Sequence, residues 1–173
     1  MKALKSLYAL LILSLLTPTC FTACNNTDDG SYVSPITLGE KIQGEWMLKS
    51  VTQVDEISGE SIALTDQFDF ASFTISLKTD DENNPTTFSV EGNAPAIIPI
   101  SGSWDMGYPY TNADGTASKI MLYSDESHSN KVTELTVTSV PGANKVLEFK
   151  LTRKTKGQAF VSYVYHLESI TAQ

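Results

Sequence analysis

Residues 132–154 read VTELTVTSVPGANKVLEFKLTRK, and the fold class follows from this stretch. Leu135 and Val137 on the first arm, and Leu147, Phe149 and Leu151 on the second, recur at every second residue, while Val146, Glu148, Lys150 and Thr152 fall between them. A period of two places alternate side chains on opposite faces of a strand. Pro141-Gly142-Ala143-Asn144 supplies the residue types that reverse a chain. The expectation is an antiparallel hairpin with one apolar face, because the 3.6-residue spacing of an amphipathic helix is missing.

The same alternation continues in both directions. Besides 132–140 and 145–154, strands are expected at 44–55, 68–79, 86–91, 97–105, 118–124 and 159–169, eight in all. On the first, Trp46, Leu48, Ser50, Thr52 and Val54 share a face; on the last, Val161, Tyr163, Tyr165 and Leu167 do. In 68–79 the apolar positions change parity, from Phe68 and Phe70 to Phe73, Ile75 and Leu77, which predicts a bulge near Ala71-Ser72. Ile98, Ile100, Gly102 and Trp104 alternate along 97–105, where Pro99 suits an edge or bulged position. A short helical turn is expected at 37–43. Sequential hairpins of this kind predict an all-β domain, an eight-stranded up-and-down antiparallel barrel, with a β-sandwich as the alternative.

The N-terminus follows a different rule. Lys2 and Lys5 precede the apolar run LYALLILSLL at residues 7–16, which is too short for a transmembrane helix and fits an export signal. Phe21-Thr22-Ala23-Cys24 then resembles the lipobox of bacterial lipoproteins, although Phe21 stands where an aliphatic residue is usual. That resemblance implies cleavage after residue 23 and acylation of Cys24. Cys20 follows Thr17-Pro18-Thr19, a poorer cleavage context, and would be discarded with residues 1–23. The mature chain would hold one cysteine and no intrachain disulfide. Residues 24–35, with Asn25-Asn26-Thr27-Asp28-Asp29-Gly30-Ser31, read as a flexible tether before a domain at 36–173. Acidic residues just after the cysteine also resemble the surface-export signal of lipoproteins from anaerobic Gram-negative gut bacteria, so either leaflet of the outer membrane remains open. Loss of the leader leaves ten basic residues against twenty acidic ones, a charge of −10 in place of −8, which disfavours nucleic acid as a partner.

Gly44-Glu45-Trp46 opens the first strand after a short turn, and this Gly-x-Trp resembles the opening of lipocalins and related calycin barrels. With the lipobox and Ser101-Gly102-Ser103-Trp104-Asp105, the chain is similar over residues 36–171 to lipocalin-like lipoproteins of gut anaerobes, a family largely of unknown function. The resemblance implies that Gly44 and Trp46 close one barrel end and that a late basic residue packs on the indole. Arg153, in register with Leu147, Phe149 and Leu151, is the candidate for that cation over the ring; the alternative places it in the exposed cluster with Lys154 and Lys156.

Catalysis finds little support in these residues. No zinc-site, P-loop, dinucleotide or Gly-x-Ser-x-Gly pattern occurs, so no enzyme, metal or cofactor is expected. His128 lies in a polar turn, His166 on the face opposite Tyr163 and Tyr165, and Asp80-Asp81-Glu82 lacks the spacing of a calcium loop. The leading expectation is a noncatalytic binding protein whose lumen, lined by Leu48, Ile100, Phe149 and Tyr163, holds a small apolar or amphipathic ligand. The loop at 106–115 adds Tyr108 and Tyr110, which with Trp104 form a candidate aromatic platform; in the alternative, Trp104 fills the core and the tyrosines fold on the rim. A second reading is an accessory subunit of a surface complex, with glycan handling as one candidate role, that acts through its outer face.

Overall fold

The computed structural model describes residues 33–93 and 98–170. The expected export leader, Cys24 and most of the expected tether lie outside the described residues. Among the described residues a short helix, α1 (Leu38–Ile42), comes first, its start capped by Thr37, whose Oγ1 accepts from the Glu40 N–H at 3.1 Å. Nine strands follow among the described residues: β1 (Gly44–Asp55), β2 (Ser61–Ala63), β3 (Thr74–Thr79), β4 (Pro85–Glu91), β5 (Ser101–Met106), β6 (Lys119–Tyr123), β7 (Lys131–Ser139), β8 (Val146–Thr155) and β9 (Gln158–Ser169). Among the described residues no helix is long and apolar enough to cross a membrane.

From β3 onward each strand pairs antiparallel with the next, and β9 returns to β1 over Trp46 to Asp55. This closure makes an eight-stranded barrel of β1 and β3 to β9 and leaves no long unpaired edge among these strands. On its other side β1 is shared: Gly44 to Met47 pair with β3, and Thr52 to Val54 with the short β2. The lower end of the barrel therefore holds α1, the start of β1, the turn after β3 and the long loop after β5. The upper end holds the β1–β2 turn, residues 64–73 and the β8–β9 turn.

The interior is apolar throughout. Trp46, Leu48 and Val51 from β1, Phe73, Ile75, Leu77 and Phe88 from the β3–β4 side, Trp104, Ile120, Leu122 and Leu135 from the middle strands, and Leu147, Phe149, Leu151, Tyr165 and Leu167 from the closing hairpin are all buried. Large side chains fill the section rather than leaving a wide channel, as eight strands allow.

Three strand readings need correction. Ser50, Thr52 and Val54 do not continue the Trp46–Leu48 face: the β1–β9 register shifts between Leu48 and Ser50, and Val51 takes the inward place. The parity change in 68–79 is absorbed by a 3-10 turn at Phe70–Ser72 instead of a strand bulge, so Phe68 stands outside the sheet, 60 % exposed. Strand β5 begins at Ser101, and Ile100 is 78 % exposed rather than lining the interior. Inward parity has meaning only where pairing holds the residue against the opposite wall, and Ile100 lies beyond the register that pairs Ser101 with Ser89.

Candidate functional site

Both tryptophans are spent on structure at the lower end. The Trp46 indole N–H donates to the Ile42 carbonyl at 2.8 Å, so α1 is pinned under the barrel, with Leu38 and Ile42 buried beside it. Trp104 is fully buried, its N–H donating to the Lys78 carbonyl at 2.7 Å across the β4 neighbour. Neither indole offers a face or a donor to a ligand, and the alternative in which Trp104 fills the core is the one observed.

Tyr108 and Tyr110 are 66 % and 45 % exposed on the loop after β5, away from the buried Trp104, so the three do not form one platform. Beside them, Pro109 accepts the Leu38 N–H at 2.7 Å and edges an outer groove of about 300 Å3 that Thr37, Asn83, Pro85, Asp105 and Met106 also line. Its neighbour turn is self-satisfied: Asp80 accepts the Asn84 side-chain amide on Oδ2 and the N–H groups of Asn84 and Glu82 on Oδ1, which together hold its carboxyl below the usual range. His128 sits in the turn after β6, stacked on Tyr123 at 4.5 Å between ring centres and 3.9 Å from Asp105, a polar surface arrangement. Among the described residues no group of three metal-ligating side chains converges.

Arg153 does not reach Trp46. Its guanidinium lies 5.7 Å from the Phe160 ring centre, and the residue is exposed. Register explains the separation: Trp46 pairs with Ser169 and Arg153 with Val161, positions eight residues apart on β9. At ~3.4 Å per residue that is roughly 27 Å. The indole at the closed end is covered instead by α1.

Leu48, Phe149 and Tyr163 do face the interior, Tyr163 half-buried at its upper end, and they surround a residue that parity placed among them without marking it. Tyr165 is completely buried, its ring 5.0 Å from Phe149 and 5.7 Å from Phe73 between centres. Its hydroxyl has no hydrogen-bond partner among the described residues. A buried hydroxyl left unpaired costs about 1–3 kcal/mol, and such groups are rare enough in native proteins that each calls for an explanation. Burial, with a smaller contribution from Tyr163, pushes the phenol well above its ordinary ionisation range. The proton therefore stays on the oxygen, and the group is a donor without an acceptor. Periodicity in 159–169 shows that Tyr165 points inward; nothing in the sequence reveals that its ring packs against Phe73 and Phe149 with its hydroxyl unpaired.

No curated protein and no solved structure matched the chain. Residues 21–168 match the family model described as Domain of unknown function (DUF5004). That span takes in α1 and all but the last residue of the barrel strands, so the protein belongs to the DUF5004 family, represented here by a closed, eight-stranded, up-and-down antiparallel barrel.

Proposed function

We propose that the protein is a lipoprotein, anchored in the outer membrane through acylated Cys24, that binds a small apolar or amphipathic molecule inside its barrel without chemical conversion. One observation carries the binding reading: a closed, apolar interior in which, among the described residues, the Tyr165 hydroxyl is buried without a hydrogen-bond partner. Apolar walls with one polar group suit a mainly hydrophobic molecule with a single polar point. The anchor rests on the leader and lipobox-like pattern at residues 1–24, and the family match includes Cys24. Acyl chains of about 0.8 kcal/mol per buried methylene hold such a protein stably when two or more are attached.

Native mass spectrometry of the domain from Gly30 onward, after exposure to bacterial and host extracts, tests the binding reading. A discrete adduct in the small-molecule range supports it, and a clean apo mass removes it. Fatty-acid labelling of cells tests the anchor, since label should be lost in Cys24→Ala.

A second reading, an interaction subunit working through its outer surface, is favoured by a specific observation. Tyr108 and Tyr110 are exposed beside the groove at Asn83, Pro85 and Asp105, while the interior is occupied by the protein's own side chains. Tyr108→Ala with Tyr110→Ala separates the two readings: unchanged adduct formation together with loss of co-purifying envelope components favours the outer surface.

A further inference from the structure

An interior site needs a way in, and one upper segment is built unlike the rest of the wall. Residues 64–73 lie outside the barrel ladder yet contribute Leu64 and Phe70 to the core. Both ends of the segment are stitched to β1. The Leu64 N–H donates to the Val51 carbonyl at 2.9 Å, Thr65 Oγ1 accepts the Val51 N–H at 3.0 Å, and the Phe73 carbonyl accepts the Leu48 N–H at 3.0 Å. The middle is held lightly. Phe68 is exposed and leans on Phe70 at 5.4 Å between ring centres, and Asp69 takes a left-handed φ of 55°. Among the described residues, the hydrogen bond from the middle to the loop after β4 is the one Ser72 Oγ accepts from the Asn93 N–H, at 3.1 Å. At the segment's C-terminal stitch, Phe73 packs on the ring of Tyr165.

The chemistry of the interior limits what can enter. No Lys, Arg, Asp, Glu or His is buried among the described residues; the buried polar side chains besides Tyr165 are Ser103, Ser118 and Ser162. An ion would lose its hydration there with no counter-charge to replace it. A neutral carbonyl oxygen loses far less and finds a donor, the Tyr165 hydroxyl, that has no partner among the described residues.

Building on the proposed interior binding, we infer that residues 64–73 form a strap, hinged at its two stitches to β1, that lifts to admit an uncharged, mainly apolar molecule bearing a carbonyl acceptor for the Tyr165 hydroxyl. Ketones, esters and amides belong to this class; free carboxylates and sulfonates do not. Strap opening exposes Leu64 and Phe70, and reclosure buries them again around the guest.

Prodan, an uncharged naphthalene ketone whose emission shifts with hydrogen bonding at its carbonyl, tests the inference, with the anion anilinonaphthalene sulfonate as its charged counterpart. Both are titrated into the full-length chain carrying Cys24→Ala, which takes no acyl chain. Saturable binding of prodan, and no saturable binding of the sulfonate, is expected. In Tyr165→Phe, prodan should bind about five- to tenfold more weakly, the effect of one lost hydrogen bond, with emission shifted further to the blue. In Ser72→Ala, which frees the strap from Asn93, prodan should associate several-fold faster. Equal affinity and emission in Tyr165→Phe, equal binding of the sulfonate, or an unchanged association rate in Ser72→Ala overturns the inference. An extract-derived adduct that survives those results leaves the interior-binding reading standing without this entry and ligand class; absence of both adduct and prodan binding removes the two together.

Discussion

Trp46 joins helix to barrel through one indole: its ring is buried among the lower strand ends and its N–H holds the Ile42 carbonyl. Trp46→Ala removes both the packing and the hydrogen bond and should cost about 3–5 kcal/mol, the range for a large core side chain, read as a lower urea midpoint. Trp46→Phe keeps much of the volume but orphans the carbonyl, and should cost less. Gly102 is a different kind of constraint. A Cβ there would lie 2.0 Å from the Tyr123 carbonyl oxygen, which is backbone and cannot swing aside. Gly102→Ala should therefore force β5 and β6 apart and destabilise by more than a typical surface change, beyond about 1 kcal/mol. A thermal midpoint within a degree of the parent protein would contradict this. Gly92 carries a similar limit, with φ of +74° and the Ser72 carbonyl oxygen 2.1 Å from its Cβ position, so the strap and the loop after β4 meet as backbone against backbone.

At the scale of elements, the outer faces of the closing strands are tied by polar pairs. Glu56, just past β1, accepts from the buried Ser162 hydroxyl on β9 and pairs with Lys150 on β8 at 2.6 Å. On β6 and β7, Glu134 meets Lys119 at 2.8 Å and Lys131 at 3.1 Å. Hydrogen bonds from these lysines, and from Ser162 to Glu56, hold both carboxyls below the usual glutamate value of 4.5. A depressed carboxylate stabilises the fold above its unfolded value, and that stabilisation disappears as pH falls through the folded one. Urea midpoints should therefore be flat near neutrality and drop below about pH 4.5. The drop should be shallower in Glu56→Gln, which already lacks one of these charges. The effect is modest because exposed ion pairs are worth about 0–1 kcal/mol each. Ser162→Ala leaves Glu56 without its hydroxyl partner and should loosen the β1–β2 turn, measured as faster amide exchange at Glu56, whose N–H donates to the Phe160 carbonyl.

For the whole molecule, stability depends on closing β9 against β1. The contact joins residues more than a hundred positions apart, such as Val51 with Tyr165, so folding should be slower than that of a helical bundle of similar size. Tyr165, at that seam, also sets a limit at high pH. Its raised ionisation means stability is fully present below the ordinary tyrosine value of 10.0 and is lost as pH rises above it, where the unfolded chain ionises and the buried ring resists. Tyr165→Phe should flatten the alkaline limb of the stability curve and, without ligand, fold at least as stably as the parent chain. A marked loss of stability in that variant at neutral pH would instead mean that the hydroxyl is already paired in the ligand-free fold.

The alternation of Leu147, Phe149 and Leu151, and of Tyr163, Tyr165 and Leu167, was enough to establish antiparallel hairpins and the inward faces, because period-two burial is a local property of a strand. Sequential hairpins favoured a barrel but left a sandwich open, and only the pairing of β9 with β1 decided between them. What one strand does to another was not legible in the sequence. The shift after Leu48, the 3-10 turn at Phe70, the exposure of Ile100 and the distance between Arg153 and Trp46 all follow from register, which depends on the partner strand and on how the sheet bends to close. The lone hydroxyl of Tyr165 belongs to the same class: its inward direction is written in residues 159–169, but its lack of a partner arises only when Phe73, from ninety residues earlier, is folded against it.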